Sequence, residues 1–188
     1  MAIATDRLTY EQYMAEPEIR RRYDILDGVR VFMTNPTIQH QIILGNLYVG
    51  FRAWRQAGGT GRELQAPCDV LIRRSPLRTR QPDVLVISDE RLGNRSLTDP
   101  APLDPAPEVV VEILSPSDTR SVLNEKLADY ARVDVKECWV VYPVSQTVEV
   151  LLFTPAGAEA GPTYRKGEIV QSITFPTLTL AVADIFAP

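Results

Sequence analysis

The sequence predicts an α/β fold: a single domain built on a mixed, twisted β-sheet flanked by α-helices, with a polar site at one sheet edge. Three observations point there. EVVVEIL at 108–114 is a near-continuous apolar run, the pattern of a central strand covered on both faces. Residues 37–55 repeat apolar side chains at intervals of three and four, which places them on one stripe of a long helix. A chain of 188 residues, 45% hydrophobic and 23% charged, has the size and composition of one folded domain that buries a core.

The elements follow in order. LTYEQYMAEP reads as a short helix capped by Thr9 and stopped at Pro17, placed to pack as a lid. Segments 23–26 and 29–33 flank Asp27-Gly28, a dipeptide suited to a tight hairpin because both positions accept positive φ. In the long helix, His40, Leu44, Leu47, Phe51 and Trp54 share the inward stripe, and Gly58-Gly59-Thr60-Gly61 ends it. Short strands are expected at 63–64, 69–73 and 83–88, where apolar and β-branched residues cluster, with RRSPLRTR at 73–80 as a basic loop between the last two. Residues 89–107 carry Pro100, Pro102, Pro105 and Pro107 and read as a long mobile or functional loop. Ser115-Pro116-Ser117-Asp118 breaks the central strand and leads into a helix over 120–133. ECWVVYPVSQTVEVLLF gives two strands around a turn at 143–146, and short strands punctuated by Gly167 and Pro176 complete the chain.

Composition excludes several chemistries. No apolar run approaches the roughly 20 residues of a membrane span. The single histidine, His40, cannot supply a His-rich zinc site, and two widely separated cysteines cannot make a zinc finger. Cys68 and Cys138 lie in apolar-rich segments, and MAIATDRLTYEQYM lacks a secretory pattern, so a cytoplasmic protein with reduced thiols is expected. A net charge of -4 argues against wrapping nucleic acid by bulk attraction. Any such contact must be local.

Glu112 stands out as a carboxylate inside the most apolar strand, where an uncompensated charge is costly. Asp83, at the start of PDVLVIS, is its natural neighbour, and two strand-borne carboxylates make a rigid oxygen site of the kind Mg²⁺ prefers. The alternative is a Glu112–Arg ion pair with Asp83 exposed at a strand start. Lys126 flanks the buried stripe of the following helix, so its ammonium either reaches the sheet edge and a phosphate or merely covers apolar surface. His40 lies on the inward stripe, either beside the site or as a satisfied core histidine. Asp24 is a third carboxylate or a hairpin polar residue.

In order, YDILDG, a His-Gln at a helix start, QPDVLVIS, PEVVVEILSPS and a K-L-x-x-Y-A-x-x-x-V-x-E-x-W-V-V run resemble a small restriction-endonuclease-like family abundant in cyanobacteria, within the PD-(D/E)xK nuclease superfamily. The resemblance implies one such domain over 1–188, with a restriction-endonuclease-like sheet. It implies that Asp83 and Glu112 hold a divalent metal with the carbonyl of Ile113, and that Lys126 replaces the lysine usually two residues after the acid, where this chain has Leu114. Asp24 matches a position usually held by Glu, and His40 the family's helix-start histidine. Val122, Tyr142 and Arg30 depart from positions where the family generally or often carries an acid.

The expected activity is therefore a Mg²⁺-dependent endonuclease, with Mn²⁺ able to substitute, hydrolysing DNA with a metal-activated water. Backbone grip falls to Arg73, Arg74, Arg78 and Arg80 and further to Arg20, Arg21 and Arg22, unless these are ordinary solvated charges. A homodimer, and no membrane, complete the expectation. The rivals are a nucleic-acid-binding or regulatory module that lost turnover, and a structural dimer whose acidic cluster is an ion-pair network.

Overall fold

Thr9 closes the first turn of α1 (Tyr10–Ala15) through a capping box with Gln12. The computed structural model describes residues 7–17, 19, 21–116, 118–155 and 157–188, so Arg20 and Ser117 lie outside the described residues. Strands β1 (Tyr23–Leu26) and β2 (Val29–Phe32) form the expected hairpin, with Asp27 and Gly28 both at positive φ. Helix α2 (Ile38–Gln56) starts at the Thr37 cap, and His40, Ile43, Leu44, Leu47, Phe51 and Trp54 are its buried residues. Then come β3 (Gly61–Gln65), β4 (Val70–Arg73), β5 (Arg78–Arg80), β6 (Val84–Ser88), the single-turn α3 (Asp89–Leu92) and β7 (Val109–Ile113). Helix α4 (Arg120–Arg132) precedes β8 (Glu137–Tyr142), β9 (Thr147–Thr154), β10 (Gly157–Tyr164), β11 (Ile169–Gln171), β12 (Thr179–Ala181) and α5 (Val182–Ile185).

The main sheet has the order β10-β9-β8-β7-β6-β3. Its pairs are antiparallel except β7 with β8, which run parallel because α4 carries the chain back across the sheet. Every residue of β7 is buried, as a strand covered on both faces requires. Val109 and Val111 face one core with Leu47, Phe51 and Trp139, where α2 and the C-terminal elements pack. Val110 faces the other, with Leu127, Tyr130 and Val140, under α4. A second sheet, β2-β1-β5-β4, builds a smaller cluster from Tyr23, Ile25, Leu71 and Leu77, against which Tyr10 and Tyr13 of α1 rest. The mixed, twisted sheet flanked by helices is the architecture the sequence predicts.

Three segments differ from expectation. Arg78–Arg80 is not a solvated loop but strand β5, paired with both β1 and β4, because buried acids neutralise its arginines. The proline-rich 89–107 connection opens with α3 and is anchored at Leu103, which bridges Val70 and is buried, as is Ala106. The C-terminus ends in the short helix α5, whose Val182 and Ile185 fill the α2 side of the core.

Both cysteines are free thiols. Burial, and then the charge of Asp69, push the Cys68 thiol up to about 11. The reactive thiolate is therefore about one part in a thousand at pH 8 and grows as pH rises toward that value. Labelling of Cys68 by a disulfide reagent is expected to be roughly a hundredfold slower at pH 8 than for a free cysteine, and to accelerate steeply toward pH 11. A rate profile equal to that of free cysteine contradicts this. Among the described residues, no helix is long and apolar enough to cross a membrane.

Candidate active site

The antiparallel β6–β7 pairing runs to Val84↔Val111, so Asp83, just before β6, and Glu112, next to the last residue of β7, lie at the same end of the pair, and the charge of Asp83 acts on Glu112. Asp83 is tied to β7 twice: its N–H donates to the Val111 carbonyl (3.0 Å), and Oδ2 accepts the Ile113 N–H (2.8 Å). Arg22 Nη1 donates to Asp83 Oδ1 (2.7 Å), and His40 Nε2 lies 3.4 Å from Oδ2. Burial favours the neutral acid, but the His40 hydrogen bond and the Arg22 guanidinium outweigh it and pull the Asp83 carboxyl down to about 2.

Glu112 shares the face of Val110 and points toward α4. Lys126 Nζ donates to Oε2 at 2.6 Å and the Tyr130 hydroxyl to Oε1 at 2.5 Å. Burial, joined by the charge of Asp83 and opposed by Lys126, pushes the Glu112 carboxyl up. Burial also works against the charge of Lys126, yet Glu112, Asp24 and Asp83 outweigh it and hold the ammonium above its ordinary range. Two carboxylates on neighbouring strands, felt by one ammonium from the next helix, therefore share one electrostatic neighbourhood.

Asp24 is nearby and committed: Oδ1 accepts the Gln81 N–H (3.0 Å) and Oδ2 accepts Arg80 Nη1 (2.7 Å). Arg80 reaches on to Asp129, whose Oδ2 accepts from Nε of both Arg80 and Arg78 at 2.7 Å. Arg78 also grips Glu125. This ion network pins β1 and β5 to α4, and it corrects the expected phosphate grip of Arg78 and Arg80, which are buried and paired with acids. Arg73 and Arg74 remain at the surface, paired with Asp27 and Asp104, and Arg74 also lies over the Tyr10 ring.

The structure thus brings Asp83, Glu112, Ile113, Lys126, His40 and Asp24 together, and separates the four arginines into two buried and two exposed. Asp83 is buried, not an exposed strand start, and the cation beside Glu112 is Lys126, not an arginine. Sequence reasoning missed the placement of Arg22 at Asp83, the Tyr130 hydroxyl on Glu112, and Asp129. An aspartate beside the buried stripe of α4 was the available signal for the last. The three departures lie elsewhere: Val122 is exposed, Arg30 pairs with Glu16, and Tyr142 donates to Glu149.

Two buried carboxylates and a main-chain carbonyl are hard oxygen donors, which suit a divalent cation that keeps several waters. Among the described residues, no group of three or more His, Cys, Asp and Glu is gathered to hold a metal.

Asp83 just before β6, Glu112 on β7 and Lys126 on the following helix are set in a mixed sheet flanked by helices. Residues 9–183 match the model of the Uma2 family, described as "Putative restriction endonuclease", and the chain belongs to that family. A crystal structure of "a putative nuclease belonging to DUF820" from Anabaena variabilis ATCC 29413 shares the fold, with a TM-score of 0.78 at 18% identity over 96% of this chain and 98% of that one. No curated protein matches the chain.

Proposed function

We propose that this protein is a metal-dependent endonuclease that hydrolyses DNA phosphodiester bonds. The observation that carries the reading is Lys126 Nζ 2.6 Å from the buried Glu112 carboxylate, with the charge of the buried Asp83 acting on both. Asp83, Glu112 and the Ile113 carbonyl would hold Mg²⁺, or Mn²⁺ in its place. Once bound, the ion acidifies a water and polarises the phosphoryl oxygen.

The protein's own residues do the rest. His40 and Arg22 keep Asp83 ionised at neutral pH, and Arg22 on Oδ1 with the Ile113 N–H on Oδ2 fix its orientation. Lys126, held protonated, offers Nζ–H to the charge that develops on the phosphate, while the Tyr130 hydroxyl fixes Glu112 Oε1. Asp24 helps keep Lys126 charged and is itself locked by Arg80. Arg21, Arg73 and Arg74 are the exposed arginines of the expected set left for the backbone, so salt sensitivity is modest. A homodimer would present two such sites to the two strands of a duplex, in the cytoplasm.

The test incubates the purified protein with supercoiled plasmid and Mg²⁺ or Mn²⁺, beside Asp83→Ala. Nicking and linearisation are expected from the native chain, with loss in the variant and in the presence of a chelator. Cleavage that persists unchanged in Asp83→Ala or with chelator overturns the proposal. Binding of DNA with no cleavage under any divalent ion identifies the non-catalytic module.

A further inference from the structure

A cleft of about 500 Å³ opens between α1, the edge strand β3 and the 95–103 segment, a volume suited to a small organic molecule. Tyr13, Ile19, Tyr23, Leu64 and Leu103 supply apolar wall. Asp69 also lines it, one residue before β4 and two before Leu71, so strand alternation turns its side chain to the side where Leu71 clusters with Tyr23, Tyr13 and Ile19. The hydrogen bonds agree: Oδ2 accepts the Tyr13 hydroxyl (2.7 Å) and Oδ1 accepts Gln81 Nε2 (3.2 Å). After burial, the charge of Asp69 is the next cause that raises the Tyr13 and Tyr23 hydroxyls and the Cys68 thiol, and all three residues border the cleft.

The other charged residues of the wall are matched. Arg62 pairs with Asp89 (3.1 Å) and Glu16 with Arg30, while Arg95 pairs with Asp99 (3.4 Å) and donates to the carbonyls of Ala101 and Pro102. Asp69 differs from them, since among the described residues it forms no ion pair and its side-chain donors, Tyr13 and Gln81, are neutral. Burial pushes its carboxyl up, against those two hydrogen bonds. A carboxylate so placed is stabilised most by a positively charged donor, and each of its oxygens keeps a lone pair to accept one.

We infer that this cleft binds a small organic ammonium compound, with its charged nitrogen on Asp69 and its carbon skeleton against the apolar walls. The site is separate from the acid pair, because Asp83, Glu112 and Lys126 do not line it. Its occupant would bridge α1 and the 95–103 segment, two parts of the chain that meet across the cleft.

The test titrates 2-phenylethylammonium into the full chain labelled with methyl-¹³C methionine and follows the methyl resonances by NMR. Met14 lines the cleft and Met33 does not, so the Met14 signal is expected to move and saturate while that of Met33 stays in place. The uncharged analogue 2-phenylethanol should bind about tenfold more weakly, the loss of one charge-assisted contact. Asp69→Asn, which keeps the volume and removes the charge, should bring the two probes level. An unmoved Met14 signal, equal affinity of the native chain for the two probes, or a preference that survives Asp69→Asn overturns the inference. So does tighter binding of 3-phenylpropanoate, which assigns the cleft to Arg62 and Arg95. The first two readings use the native chain, so they decide the matter even where the variant does not fold. Neither nucleic acid nor a divalent ion enters the measurement, so its outcome is independent of the endonuclease reading.

Discussion

Asp129→Ala is expected to destabilise the protein by about 3–5 kcal/mol, seen as a lower midpoint in urea unfolding with little change in slope. The side chain is fully buried, and its Oδ2 takes Nε of both Arg78 and Arg80. Removing it leaves two guanidinium groups facing each other in the interior with one acid fewer between them. Breaking a buried ion network from one side costs far more than the network itself contributes, because the remaining charges can neither reach water nor discard their protons. Asp129→Asn keeps the volume and one acceptor and should lose less. A loss below about 1 kcal/mol for the alanine variant would show that Glu125 and Asp24 alone satisfy the arginines.

Lys126→Met should lower the single-turnover rate of DNA cleavage by about 10²–10³-fold at saturating divalent ion, with the fold intact. Methionine keeps the aliphatic stem and removes only the ammonium. Glu112, already pushed up by burial, then takes a proton more readily, so the variant should also need more Mg²⁺ for half-maximal rate. Lys126→Arg should recover part of the rate. A Lys126→Met enzyme within fivefold of the native rate would remove this lysine from the reaction.

Where local pattern decides structure, the chain was readable. The Asp27-Gly28 hairpin, the stripe of α2, the apolar run of β7 and the strands β8 and β9 all follow from periodicity and turn chemistry. Strand β5 was not, since Arg-Thr-Arg has no apolar signature and becomes strand only because Asp24, Glu125 and Asp129 arrive from distant segments to neutralise it. Arg22 was hidden for the same reason: within a run of arginines nothing local distinguishes the one that turns inward to Asp83. Glu137 shows the limit from the other side. Read as the opening of a strand, it is a fully buried carboxylate that accepts hydrogen bonds from Trp139, Ser172, Ile173 and Thr174, and so organises a turn far along the chain. Glu112 was legible because a lone acid amid valines is an anomaly at any range, and the angle of Lys126 on its helix followed from simple geometry.

The lysine of the site rides on α4, whereas the acids it serves belong to the sheet. In a chain with the cation two residues beyond the acid, one strand would carry both and they could not be parted. Here they meet only while the helix is seated, and the seat is the clamp that Arg78 and Arg80 close on Asp129, one turn along from Lys126. Anything that rocks that helix by an ångström would uncouple ammonium from carboxylate without touching either, so on the proposed reading competence to react would depend on how that helix seats against the sheet.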